Sequence, residues 1–231
     1  MTFRSGDSVH LLTLFACVLA LLVVIRLGRE AGRRARIALS LAAGCSVMWV
    51  VQAIHGLMVN DFSATRGLPL EFCNMANAAA IVALLSRWRL PKAILYFWSL
   101  GLCSWAFVTP TITEGPLRIS FWVFWLYHLG IALSAVHVIV VEGFRPRFRD
   151  LVSVMVCTLM YAALLFWVDA QMGWNYGFLG AANPGRPTPV DLLGSYPGRI
   201  GWMALCVAMV FLLLWLPFRR HQGEGVPDEA P

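Results

Sequence analysis

Apolar residues run along the chain in seven long stretches, at approximately 9–27, 37–59, 68–87, 90–110, 119–142, 151–171 and 199–218. Each is long enough to cross about 30 Å of hydrocarbon as a helix. A barrel would instead show segments of about ten residues with alternating polarity. Backbone groups in lipid must pair within the protein, and a helix pairs them within one segment. The pattern therefore predicts an all-α membrane protein, a polytopic bundle of seven transmembrane helices. It forms a single domain over 1–218, followed by a short polar tail over 219–231. The first run has no basic segment before it and ends in Arg26, Arg29, Arg33, Arg34 and Arg36, which reads as a retained span rather than a cleaved signal.

The polar segments between the runs set an orientation. Those after runs one, three, five and seven carry 13 of the 18 Lys and Arg residues, and the other four carry five. The basic side is expected to be cytoplasmic, which places the N-terminus outside and the C-terminus inside. Of the basic residues 17 are Arg, a bias that points to a GC-rich bacterial genome and hence to the bacterial inner or plasma membrane.

Composition agrees with the pattern. Only 13% of residues are charged and 59% are hydrophobic, whereas a soluble domain carries about a quarter charged residues. The net charge of +6 would raise nucleic acid as a partner. Its confinement to short loops explains it by membrane orientation, and no nucleic acid is expected. Six cysteines each fall inside an apolar run without CxxC spacing. That excludes a disulfide framework and a zinc knuckle, and leaves them as small packing residues, Cys73 apart.

Polar side chains inside apolar runs are costly and by default face a bundle interior or a site. Run two carries His55 about one turn from its outer end. Run three opens LPLEFCNMANAAA and places Glu71, Cys73, Asn74 and Asn77 in its outer half. At 100° per residue, Cys73 and Asn77 lie about 40° apart, with Asn74 about 100° round and Glu71 turned well away. Run five places His128 roughly 13 Å below its outer end. Three runs thus bring His55, Cys73, Asn77 and His128 to a comparable depth. His137 lies about 13 Å deeper on the opposite face and reads as a histidine hydrogen-bonded within the bundle. His10 reads as an interfacial residue at the rim. The outer loop 172–198 is long and rich in Gly, Pro and Asn. Its Trp174, Tyr176, Phe178 and Tyr196 suggest a segment folded back on the outer interface.

A thiol beside an imidazole becomes a strong nucleophile, and amides can donate to an oxyanion. That set suits acyl transfer or ester hydrolysis. The residues alone equally admit a polar packing cluster, a metal or haem site on His55, Cys73 and His128, or a transport path. No GxSxG, Walker loop or HExxH is present, and no cofactor or metal is expected.

The order LPLEFCNM, YFWSLGLCSWAFVTP, FWLYHLGI, FRPRFRD, WNYGFL, DLLGSYPGRI and LPF resembles the YwaF-type bacterial integral membrane proteins, related to the eukaryotic transmembrane protein 164 family. The resemblance spans about His10 to Phe218. It implies a Cys-dependent lipid acyltransferase or lipid hydrolase using a Cys-His dyad, with a membrane phospholipid or fatty-acyl substrate. Cys73 would be the nucleophile and His128 the base. Asn74, Asn77 and His55 would support them, and Asn175, Tyr176, Asp191 and Gly194 would lie near the site. Bacterial members commonly read LPLHxC, and this chain has Glu71 at that His. Glu71 would then accept a hydrogen bond or bridge to Arg66 or Arg118. The alternative is a non-catalytic membrane protein: a scaffold, a receptor-like bundle or a small-solute carrier.

Overall fold

The computed structural model describes residues 3–30, 32–59, 67–181 and 188–222. Apart from one bridge residue at Glu114, every regular element among them is helical. The elements are α1 (Ser8–Arg29), α2 (Arg34–Val59), α3 (Phe72–Leu85), α4 (Arg89–Trp98), α5 (Trp105–Val108), α6 (Ile119–Val136), α7 (Phe148–Met172) and α8 (Arg199–Trp215). A π-helical turn, Ser99–Cys103, runs between α4 and α5, and a second, His137–Val141, extends α6.

Five of these segments are long and apolar enough to cross a membrane: Ser8–Arg29, Arg34–Val59, Ile119–Val141, Phe148–Met172 and Arg199–Arg219. Runs three and four depart from the even pattern read in the sequence. The third was expected over 68–87, but α3 has 14 residues and rises only about 21 Å. Pro69 lacks an N–H to donate, and Leu68–Leu70 forms a tight turn before an extended Glu71 caps the helix. The fourth run is helical through most of its length but is interrupted by its π turn.

The short α3 sits at the centre. It packs against α2, α4 and α6, while α1 lies against α2 and α6, and α7 bridges α4 to α8. Close approach follows from small residues: Ala76, Ala80, Ala83 and, on α4, Ala93 are wholly buried. Large exposed side chains such as Leu12, Phe15, Leu22, Met160 and Leu213 cover α1, α7 and α8. An apolar surface this extensive marks contact with lipid.

The two ends are tied by different chemistry. On the arginine-rich side, Arg89 Nε and Nη2 hold the Asp150 carboxylate in a two-pronged pair, at 2.9 and 2.6 Å, and Asp150 also caps the start of α7. Lys92 pairs with Glu142 at 2.7 Å. At the other end Asp7 caps α1 through the His10 backbone N–H at 2.7 Å, a bond that holds its carboxyl below the usual range. Gly173, in the left-handed region, terminates α7.

Candidate functional site

The N-terminal half of α3 is where most of the sequence-derived residues gather. Phe72 anchors the helix start, with Trp98 and Tyr161 rings edge-on at 5.2 Å. Tyr161 donates its hydroxyl to Leu70 O at 2.7 Å. One turn in, the Tyr127 hydroxyl of α6 donates to Asn74 Oδ1 at 2.7 Å and lies 3.4 Å from Cys73 O. This clasp docks the Cys73–Asn74 turn of α3 on the Tyr127–His128 turn of α6. Its partner choice also fixes the Asn74 amide. With Oδ1 accepting, the NH2 group is the end left to donate.

His128 is buried, and its Nδ1 lies 2.8 Å from Phe124 O. A carbonyl only accepts, so Nδ1 carries the proton and Nε2 is the basic nitrogen. No hydrogen bond joins Cys73 Sγ to His128 among the described residues. Cys103, Glu71, Tyr127 and Tyr161 are ionisable neighbours of Cys73. Asn77 is wholly buried, and neither end of its amide has a partner among the described residues.

His55 goes elsewhere: its Nε2 meets Ser120 Oγ at 3.2 Å and ties α2 to the start of α6. Among the described residues no group of three or more His, Cys, Asp or Glu is placed to hold a metal ion, so the set His55, Cys73 and His128 does not assemble as a ligand cage. His10 is buried rather than interfacial. Its Nδ1 accepts the Gly6 N–H and its Nε2–H donates to Phe107 O. His137 was expected to be hydrogen-bonded within the bundle; it is buried but makes no hydrogen bond among the described residues, and its Nε2 comes only within 3.8 Å of Glu142.

The described part of the 172–198 loop folds back onto the start of α3. The Gly177 N–H donates to Glu71 Oε2 at 2.9 Å, and the Leu68 N–H donates to the Tyr176 hydroxyl at 3.0 Å. Asn175 Oδ1 accepts the Gly180 N–H at 2.9 Å, closing the turn within the loop. Gly177 adopts φ +61°, and a Cβ there would press on the Phe72 ring at 3.0 Å. Phe178 shares the left-handed region, a conformation costing an L-residue roughly 1–2 kcal/mol. Arg199 holds that strained stretch. Its buried guanidinium donates to Phe178 O and Gly180 O and pairs with Asp191. Asp191 therefore acts on the loop through Arg199. Glu71 accepts a backbone hydrogen bond, as one of its two expected roles required. No pair with Arg118 is present among the described residues, and Arg66 lies outside them.

A small polar cavity of about 50 Å³ opens beside this seam, lined by Gln52, Gly56, Gly67, Glu71 and Asn74 among others. That volume holds a water or two, or a small polar group. Four residues here escaped the sequence reading. Tyr127 and Tyr161 look like ordinary apolar-run aromatics, and Gln52 like a mild polar interruption. Asp169 did carry a signal: it is a carboxylate inside an apolar run at the same depth. Both its oxygens are buried, the Tyr176 backbone N–H lies near them, and the carboxyl lies electrostatically close to Glu71.

Comparison with curated proteins and with solved structures gives no match. A family model does match, over residues 4–215, which covers every helix described above. The chain is a multi-pass α-helical membrane protein that belongs to the TMEM164 family.

Proposed function

We propose that the chain is a membrane-embedded acyltransferase or lipid hydrolase with Cys73 as nucleophile and His128 as base. The observation that carries the reading is the Tyr127 clasp. It supports the reading by joining the α3 turn that bears the thiol to the α6 turn that bears an imidazole, whose Nε2 makes no hydrogen bond among the described residues. His128 Nε2 takes the thiol proton, and the sulfur attacks the ester carbonyl of a phospholipid. A C–S bond forms and the C–O bond breaks, with the proton passing to the departing alkoxide. An acceptor hydroxyl, or water, then resolves the thioester. The amide of Asn74, whose NH2 is the end left to donate, or that of Asn77 would stabilise the oxyanion. Resting sites are often loose and tighten only when substrate is bound.

The test compares Cys73→Ala and His128→Ala with wild type, reading the cell lipidome and labelling by a thiol-reactive acyl probe. Loss of label at Cys73 and an altered lipidome in both variants are expected. Label and lipidome that match wild type would remove the reading. A second reading is a non-catalytic bundle. It is favoured by the missing Sγ–imidazole bond and by the neighbours Cys103 and Glu71. It expects no acyl label on wild-type Cys73.

We also infer seven crossings of a bacterial cell membrane, with the N-terminus outside. In support, α3 and α4 are the apolar centre of the bundle, and the basic residues alternate from segment to segment. Reporter fusions after residue 30 and after the tail should both report cytoplasm, and an N-terminal tag should be reached from outside. A C-terminal fusion on the outer face would refute this arrangement.

A further inference from the structure

On the arginine-rich side, the lipid-facing flank of the α3–α4 hairpin holds a groove that the catalytic reading does not use. Its volume is about 540 Å³, within the range of ligand sites. Ala78, Ala79 and Val82 form one wall, and Leu90, Pro91 and Ile94 form the other. The groove exists because α3 presents methyl groups where its neighbours present long side chains. The three-residue link 86–88 keeps the two helices tight.

The mouth of the groove has a different character. Trp88 stands 71% exposed there, as an indole does at a headgroup boundary. Arg87 beside it is exposed and has no ion pair among the described residues. Arg89 lines the groove. Its Nε and Nη2 are committed to Asp150 and Arg145 O, but Nη1 makes no hydrogen bond among the described residues. An apolar groove that ends at the Arg89 guanidinium, with the exposed Arg87 two residues before it in the chain, is complementary to one kind of molecule. We propose that this groove binds an anionic phospholipid, with one acyl chain between α3 and α4 and its phosphate at Arg87 and Arg89. Basic pockets at helix ends attract anionic headgroups by this chemistry.

The occupant is tested with the full chain in vesicles carrying photoactivatable phosphatidylglycerol or phosphatidylcholine, each with the reactive group on an acyl chain. Crosslinks are mapped by peptide. Phosphatidylglycerol should label the 78–94 peptides in preference to phosphatidylcholine. Arg87→Gln should lower that preference about fivefold. Ala79→Trp fills the channel and should abolish the label. Equal labelling by the two lipids would overturn the proposal, as would label spread evenly over α1, α7 and α8. Undiminished label in folded Ala79→Trp would overturn it too. Should that variant fail to fold, the wild-type map and Arg87→Gln still decide.

Discussion

Glu71 and Gly177 are joined by a 2.9 Å hydrogen bond between a side-chain carboxylate and a backbone N–H 106 residues away. The bond fastens the 172–198 loop to the start of the central helix. A hydrogen bond of this kind contributes about 0.5–1.5 kcal/mol net. Glu71→Ala should speed amide exchange at residues 175–180. Glu71→Gln keeps an acceptor oxygen and should restore most of the protection. Unchanged exchange at Gly177 in Glu71→Ala would show that the loop is held by other contacts.

Tyr127→Phe removes the donor that docks α6 on α3 and leaves the buried Asn74 Oδ1 without its partner. The expected loss is about 1–3 kcal/mol of unfolding free energy, read in detergent by thermal denaturation. On the catalytic reading, acyl labelling of Cys73 should also fall, because the Asn74 amide becomes free to flip. A variant as stable as wild type would mean that the clasp does not hold the two helices.

The loop has a second tether with a calculable pH response. The Thr188 N–H, then the Thr188 hydroxyl and the Arg199 guanidinium, hold the Asp191 carboxyl below its usual range. A carboxyl with a depressed folded-state pKa contributes stability that is complete above its ordinary value of ~3.9. The contribution disappears as pH falls through the lower folded value. Protease cleavage in the loop should therefore be flat from about pH 5 to 8 and rise only below about 4. Asp191→Asn should show the acid behaviour at neutral pH. A rise centred near pH 6 would point to a histidine instead.

How much of this was legible before the fold was known differs from element to element. Five of the seven runs become long apolar helices, because a run of that length in lipid has no other way to pair its backbone. Run three looks the same by hydropathy. There the discrepancy is local: Pro69 and the turn at Leu68–Leu70 delay the helix until Phe72. The fold-back of the outer loop could be read from its aromatics, but the partner of Glu71 could not. A backbone N–H leaves no trace in the residue alphabet. Arg199 looked like a loop cation counted for orientation, whereas it is 2% exposed and organises Phe178, Gly180 and Asp191. The depth argument brought Cys73, Asn74 and His128 to the seam that Tyr127 closes between α3 and α6. It could not see that His55 meets Ser120, because depth along a helix says nothing of which neighbour the side chain meets.

The π turn at Ser99–Cys103 divides one apolar run into two bodies with separate allegiances. Before it, Arg89 and Trp98 are fastened to α7 through Asp150 and Thr158; after it, Phe107 is fastened to the N-terminal segment through His10. A π turn accommodates one residue more than the regular ladder, so its removal would rotate everything beyond it by about 100°. Shortening the chain by one residue there would leave every hydrophobic stretch intact. It would nonetheless point Trp105 and Phe107 at the wrong neighbours, so the bundle's handshake with its own N-terminus depends on a single surplus residue.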